Sequence, residues 1–231
     1  RQSPATVESI RAAFQGYFVH QAPDVRERTR FLLRLGLADT DSIIVDTSIE
    51  FDVFPSLPPP GAAAIRVIGT GDGRARQLLE ELGMNEGGAT PSVLLIDDVA
   101  EYAKHRSTID SAVAGGAKAV FLELPVGTYE IGGSTVRVED CVMRAREFVS
   151  RATGHQLVAG FEPEDFKCWY DPTVDYFTPL LPTVFDARGW DPILTNGNGV
   201  WGGGAWQSKF AAAEKRRGAG SYIVCQVTLA G

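Results

Sequence analysis

Four carboxylates end apolar runs that are typical of parallel strands. They are Asp46, Asp97, Asp98 and Glu123. Open α/β folds bind ligands at the carboxyl ends of their strands, so we expect these side chains to converge on one sheet edge. Converging carboxylates could hold Mg²⁺. An aspartate after a strand is also a common helix N-cap, and that structural role is the favoured interpretation.

A glycine-rich turn, Gly69-Thr-Gly-Asp-Gly73, separates a predicted strand from a predicted helix. Backbone N–H groups at such a helix N-terminus could bind a phosphate. However, Arg74 stands where a dinucleotide fingerprint needs a small residue, and Asp72 would place a carboxylate beside the pyrophosphate. The motif therefore favours a plain tight turn over a phosphate site.

A catalytic nucleophile is not apparent. The chain contains no Gly-x-Ser-x-Gly or Gly-x-Cys-x-Gly elbow, and the predicted strand that ends at Leu124 carries no thiol or hydroxyl at its turn. None of His20, His105 and His155 has a Ser or Cys partner nearby in the sequence. The sequence predicts no catalytic residue, no metal ligand and no cofactor.

Aromatic residues concentrate between Phe161 and Trp206, a stretch that contains all four tryptophans of the chain. Exposed Trp and Tyr beside amides would suit stacking on sugar rings or a protein interface. Filling of the seam between this irregular stretch and the sheet is the favoured structural alternative. The candidate ligand-binding residues are Trp169, Tyr170, Asn196, Asn198, Trp201 and Trp206.

The elements that must position these residues alternate along most of the chain. Val7, Ile10 and Phe14 recur at helical spacing, and a second predicted helix runs from Pro23 to Gly36. Further helices are predicted from Arg74 to Leu82 and from Trp206 to Arg217. Another short helix is predicted to begin at the capping box Ser107-Thr-Ile-Asp110 and to end at Gly115-Gly116. Strands are predicted at 41–46, 63–69, 92–96, 118–124 and 222–229.

Most of the predicted strands are apolar throughout, as expected of parallel strands covered on both faces. Residues 128–138 instead predict an inserted β-hairpin with Gly132 and Gly133 at its turn. These patterns together favour an α/β fold with an open, mostly parallel sheet.

The composition narrows the function classes. The chain has 231 residues, 44% hydrophobic residues and a net charge of −7, with no basic stripe and no run of about 20 apolar residues. We therefore expect neither a nucleic-acid nor a membrane partner. Cys141, Cys168 and Cys225 are far apart in the sequence, which favours free thiols and a cytoplasmic location, while a single disulfide and secretion stay open.

Three stretches resemble the class I glutamine amidotransferase-like fold: Gly115–Leu124, Gly154–Gly160 and Gly218–Gln226. The part from Leu122 to Gly231 is similar to a C-terminal domain of some bacterial family 2 glycoside hydrolases of the β-galactosidase type. Its motifs are Gly160-Phe-Glu-Pro-Glu-Asp-Phe166, Trp169-Tyr-Asp171 and Ile193-Leu-Thr-Asn-Gly-Asn198. The resemblance covers about residues 40–231.

This resemblance implies a three-layer, flavodoxin-like α/β sandwich, with residues 1–40 as a helical connection and residues 41–231 as the amidotransferase-like domain. Because the cysteine elbow is missing, no catalytic residue carries over. The implied function is a non-catalytic accessory domain of a carbohydrate-active hydrolase, serving subunit assembly or carbohydrate binding. The alternative is an independent small-molecule hydrolase or metal-dependent enzyme that uses the acidic strand ends.

The expected partners follow from this accessory role. They are the N-terminal glycosidase domains of the same chain, further copies in a homo-oligomer, and carbohydrate. The start at Arg1 and the length of 231 residues, too short for a glycosidase barrel of about 250 residues plus this sheet, favour a piece of a longer polypeptide.

Overall fold

The computed structural model describes residues 23–39, 42–53, 55, 63–141, 154–159, 161, 181–198 and 207–229. Packing of the backbone divides the chain into two compact units. Unit 1 is Arg1–Pro58, and unit 2 is Pro59–Gly231. In the described ranges, no helix is long and apolar enough to cross a membrane.

Unit 1 contains an antiparallel hairpin of two long strands, β1 (Thr29–Asp39) and β2 (Ser42–Val53). One face carries charged residues that neutralise one another. Arg30 and Arg28 both donate hydrogen bonds to the Asp52 carboxylate. Together these bonds lower the pKa of Asp52 from 3.8 to about 2, and the bond from Arg30 makes the largest contribution.

Unit 2 begins with alternating strands and helices and continues with strands. Its elements are β3 (Ile65–Ile68), α1 (Arg74–Glu81), β4 (Val93–Ile96), α2 (Val99–Ala114), β5 (Lys118–Leu122), β6 (Gly127–Ile131), β7 (Ser134–Asp140), β8 (Thr183–Ala187), β9 (Asp191–Asn198), β10 (Gln207–Arg217) and β11 (Gly220–Cys225). A single 3₁₀ turn covers Gln156–Val158.

The strands of unit 2 form one mixed sheet in the order β3-β4-β5-β11-β10-β8-β7-β6, and β9 also pairs with β10. The first four strands in this order are parallel. The pairs formed by β6 to β10, and the pair of β10 with β11, are antiparallel. Strand β11 is therefore the seam between a parallel half and an antiparallel half.

Both faces of the parallel half are buried, as its apolar strands require. In β4, Leu94 and Ile96 pack in the cluster that includes Tyr102 of α2, whereas Leu95 packs with Leu79 of α1. The antiparallel half has its own buried cluster around Leu181, Val184, Ile193, Leu194 and Ala211.

The predicted fold class is wrong. The described chain is mostly β, with a curled mixed sheet, and it is not a three-layer flavodoxin-like sandwich with a mostly parallel sheet. The predicted helix from Trp206 to Arg217 is strand β10, and strand β1 occupies much of the predicted helix from Pro23 to Gly36. Both segments are rich in Ala, Leu, Arg or Lys, but strand pairing outweighs this helix propensity.

Other local predictions are confirmed, with small shifts at the ends. These are the strands β3, β4, β5 and β11, the helix α1 and the hairpin β6–β7, whereas β2 begins near the predicted strand 41–46 but continues to Val53 and is antiparallel. Helix α2 is longer than predicted, because Asp98 is its N-cap and the supposed capping box at Ser107 lies inside it. Residues 1–22, which include the first predicted helix, lie outside the described ranges.

A buried glutamine ties the two halves together at the seam. Gln226 follows β11 and is fully buried. Its Oε1 accepts from the Leu124 N–H at 2.8 Å, and its Nε2 donates to the Leu124 carbonyl at 2.9 Å and to Thr183 Oγ1 at 2.6 Å. One amide therefore satisfies both backbone groups of Leu124, the second residue after β5, and holds the start of β8.

Replacement of this amide tests its contribution to stability. We expect Gln226→Leu to lower the free energy of unfolding by about 2–4 kcal/mol, because it leaves the buried N–H and C=O of Leu124 unpaired. Urea denaturation followed by circular dichroism measures the change. The exposed Gln77→Leu is the matched control, and equal stability of the two variants would contradict the proposed role.

Candidate functional site

The carboxyl edge of the parallel strands carries three of the four predicted carboxylates. Asp97 and Asp98 follow β4, and Glu123 follows β5, as the sequence predicted. Asp46 lies within the antiparallel strand β2 of unit 1, opposite Gly36. The prediction that Asp46 ends a parallel strand is therefore wrong.

Asp97 fills the turn that resembled a phosphate loop. Its Oδ2 accepts from the Ala75 N–H at the start of α1, at 2.8 Å. A Cβ atom at Gly69 or at Gly73 would collide with this carboxylate, so the glycines make room for it. The chain's own anion thus occupies the helix N-terminus, which supports the tight-turn interpretation over a phosphate site.

Asp98 has a comparable structural role one residue later. Its Oδ1 accepts from the backbone N–H of Ala100 and of Glu101, at 2.8 and 3.1 Å, at the start of α2. The hydrogen bond from Glu101 is the main cause that lowers the pKa of Asp98, against the opposing effect of desolvation. Asp98 is therefore an ionised N-cap, the role favoured from the sequence.

Glu123 is the third carboxylate at this edge. Its Oε2 accepts from Thr228 Oγ1 at 3.3 Å, and its Oε1 lies 3.7 Å from Arg74 Nε. Among the described residues, it is the one non-glycine residue with a positive φ, at 47°. The group is thus engaged by its own chain on both oxygens.

Cys225 and His155, two groups of the types that serve as nucleophile and base, are both engaged within the protein. Burial raises the pKa of the Cys225 thiol to about 11, so it is not a thiolate near neutral pH. His155 Nε2 lies 3.1 Å from Glu214 Oε2, and its Nδ1 accepts from the Leu157 N–H at 3.2 Å. Because both ring nitrogens are engaged, His155 does not offer a free base to a serine or cysteine.

In the described part of the chain, acidic residues, histidines and cysteines also do not gather as a metal centre. Within the ranges that the structure describes, no three of these side chains are placed to hold an ion. The carboxylates at the strand ends instead accept hydrogen bonds from backbone and side-chain donors of their own chain.

A second polar site lies on the antiparallel half. We call it the Lys209 cluster, and it consists of Glu139, Asp186, Asn196, Asn198 and Lys209. Lys209 Nζ lies 3.1 Å from Asp186 Oδ2 and 3.6 Å from Glu139 Oε2. The ammonium and the two amides are buried, whereas the Asp186 side chain is 63% exposed and that of Glu139 is 38% exposed. The cluster thus has a buried floor and an accessible acidic rim.

Strand register explains why these side chains meet. Asn196 is directly opposite Lys209 on the neighbouring strand, and Asn198 is opposite Gln207. Residues two apart on a strand share a face, so both asparagines stand on the face of Lys209. Asn198 Nδ2 also donates to Glu139 Oε1 at 2.9 Å, which links β9 to β7.

Asn196 is the least satisfied member of the cluster. It is 1% exposed, and its Nδ2 donates to Cys141 Sγ at 3.2 Å. Its buried Oδ1 has no hydrogen-bond partner within the described part of the chain. An unpaired buried acceptor is costly, so a donor reaching this atom would be bound favourably.

The structure brings together two of the six predicted ligand-binding residues, Asn196 and Asn198. Residues 199–206 connect Asn198, the last residue of β9, to Gln207, the first residue of β10. Trp201 and Trp206 are part of this connection in the sequence. Both tryptophans, as well as Trp169 and Tyr170, lie outside the described residues.

Sequence reasoning missed Glu139, Asp186 and Lys209. Lys209 lay in a predicted helix, where a lysine is expected on the solvent face. Read as a strand, Lys209 alternates with Ser208 and Phe210, and this alternation is the signal that could have placed it on one face. The contacts of Lys209 with Glu139 and Asp186 join β10 to β7 and β8. No pattern in the neighbouring sequence indicates them.

Comparison with known proteins identifies no relative: no family model, no curated protein and no solved structure matches the chain. The functional argument therefore depends on the geometry of the site.

The role of Asp97 can be tested by removal of its carboxylate. We expect Asp97→Ala to lower the free energy of unfolding by about 1–2 kcal/mol, because the first turn of α1 loses its acceptor. Urea denaturation measures the change against Asp72→Ala, which removes an exposed carboxylate from the same turn. If both variants are equally stable, the carboxylate of Asp97 does not hold this turn.

Proposed function

We propose that this chain serves as a non-catalytic accessory module of a carbohydrate-active hydrolase and that the Lys209 cluster binds carbohydrate. The observation that carries the proposal is the group of buried amides beside Lys209, with the unpaired Oδ1 of Asn196 at its floor. Amide, ammonium and carboxylate groups together offer both donors and acceptors, as sugar hydroxyls require.

The charges of the cluster favour a neutral ligand. One ammonium faces two carboxylates, and both carboxylates are at the exposed rim. A phosphate or another anion would be repelled by Glu139 and Asp186, whereas a neutral polyol can accept from Lys209 and donate to the rim. The amide-rich β9 and the tryptophans of the next segment agree with this ligand class, since aromatic rings stack on sugar faces.

The strand-end carboxylates support the non-catalytic part of the proposal. Asp97 and Asp98 each accept backbone hydrogen bonds at a helix start, and Glu123 is engaged by Thr228 and Arg74. A general acid or base must instead have an oxygen available to the substrate. We therefore favour carbohydrate binding over the metal-dependent or hydrolytic alternative.

Binding is tested first on an exposed member of the cluster. Asp186→Asn removes the charge that faces Lys209 with little change in volume, and it should weaken binding of methyl β-galactoside about tenfold, the loss expected for one charge-assisted hydrogen bond. Isothermal titration calorimetry measures the dissociation constant. Asp191→Asn, at an exposed position on the neighbouring β9, is the matched control and should leave it unchanged.

A second variant tests the buried floor. Lys209→Met keeps the length and most of the apolar stem but removes the ammonium, so it should abolish measurable heat with the same galactoside. Exposed Lys118→Met is the control, and thermal unfolding establishes that each variant is folded. The absence of binding by the unmutated protein to methyl β-galactoside, methyl β-glucoside and methyl β-xyloside alike would refute the carbohydrate proposal.

Catalysis is tested separately. The purified chain should not hydrolyse nitrophenyl β-galactoside or glutamine above the rate of a mock purification, because Cys225, His155 and the strand-end carboxylates are engaged within the protein. Release of nitrophenol, measured by absorbance, and release of ammonia, measured enzymatically, are the readouts. Turnover that Glu123→Gln removes would assign a catalytic role to the strand-end carboxylate and would contradict the accessory role.

A further inference from the structure

The β1–β2 hairpin of unit 1 has an apolar face that the described residues do not cover. Phe31 is directly opposite Phe51, and Leu33 is directly opposite Ile49. Since residues two apart share a face, these four side chains form one stripe, which we call the hairpin stripe. Leu33 is 47% exposed and Ile49 is 53% exposed.

A hairpin of this kind needs a covering layer. Two isolated strands are marginally stable in water, and a third strand or a helix is required to bury their apolar face. The two phenylalanines already stack on each other, with ring centroids 5.9 Å apart and an angle of 20° between the rings. The opposite face carries Leu32, which is 50% exposed, but it is otherwise mainly polar and pairs Arg28 and Arg30 with Asp52, so it is better suited to solvent.

The remaining length of unit 1 indicates what provides the layer. The residues of unit 1 that lie outside the described ranges are 1–22, 40–41, 54 and 56–58. Of these, residues 1–22 alone are long enough for a layer of secondary structure. Their sequence places Val7, Ile10, Phe14 and Phe18 on one side of a helical pattern, with an apolar stripe of their own.

The connection is also short enough to favour this contact. Phe18 is 11 residues before Thr29, a stretch that can span at most about 40 Å. The 11-residue strand β1 has a similar length, so the segment can return along the hairpin. Such a tether gives a millimolar effective concentration, which favours an intramolecular contact over one with a second copy.

We propose that the segment with Val7, Ile10, Phe14 and Phe18 packs on the hairpin stripe and that the two together form an αββ mini-domain. The proposed occupant of the stripe is thus the N-terminal segment of the same chain. The proposal is independent of carbohydrate binding, since it concerns unit 1 and the Lys209 cluster lies in unit 2.

Hydrogen–deuterium exchange on the full chain tests this contact. Ile10→Asp and Phe14→Asp each place a charge in the proposed interface and should raise exchange of the β1 and β2 amides by about tenfold or more. Ala12→Asp is the matched control: it adds the same charge on the opposite side of the helical pattern and should leave the hairpin amides unchanged.

A second measurement separates the proposed occupant from a second copy. Light scattering should give the monomer mass for the unmutated chain, and exchange of the hairpin amides should not depend on protein concentration. A dimer mass that Leu33→Asp reduces to a monomer would assign the stripe to a second copy and overturn the proposal. Unchanged exchange in both Ile10→Asp and Phe14→Asp would overturn it as well.

Discussion

The hydrogen bonds of Gln226 are the constraint on which the two-part sheet depends. Strand β11 pairs in parallel with β5 on one side and antiparallel with β10 on the other. The residue that follows β11 therefore lies between two strands with different hydrogen-bond patterns. The Gln226 backbone N–H continues the pairing with β10 through Ala211, while the side chain satisfies Leu124. Because Thr183 bonds to the same amide, the exit of β5 and the start of β8 are fixed relative to each other. The position of the Lys209 cluster, on strands β7 to β10, depends in turn on this joint.

The two halves of the sheet use polar groups in opposite ways. On the parallel half, the strand-end carboxylates of Asp97 and Asp98 accept hydrogen bonds at helix starts, and this satisfies donors that a helix leaves unpaired. On the antiparallel half, the amide oxygen of Asn196 is buried without a partner among the described residues. An acid held by backbone donors is a structural group, whereas an unpaired buried acceptor keeps its capacity to accept a hydrogen bond. This difference moves the candidate site away from the edge where α/β folds usually bind ligands.

An element of this fold can be predicted from the sequence when neighbouring residues determine it, and it cannot when distant strands determine it. The strands β3, β4 and β5 and the helix α1 were predictable, because their apolar runs and turn glycines are local signals. The segment of β10 was not, because Ala211, Ala212 and Ala213 followed by Glu, Lys and Arg favour a helix locally. Its strand pairing is set by β11, β8 and β9. Asn196 and Asn198 were identified as candidate site residues, but Glu139, Asp186 and Lys209 could be added only once the register of four strands was known.

The assignment of β10 as a strand decides more than the fold class. On a helix, Lys209 would be one of several solvated cations of a basic segment. On a strand bounded by β8 and β9, the same residue is 7% exposed and must have its charge balanced. Asp186 and Glu139 supply that balance from two other strands, and their exposed positions leave the charges reachable from solvent. A buried lysine with its counter-ions at a rim is costly to build by comparison with an apolar residue of similar size, because the desolvation penalty can exceed the Coulombic gain. Lys209 is thus held at some cost in stability, and the proposed binding role of the cluster gives a reason for that cost.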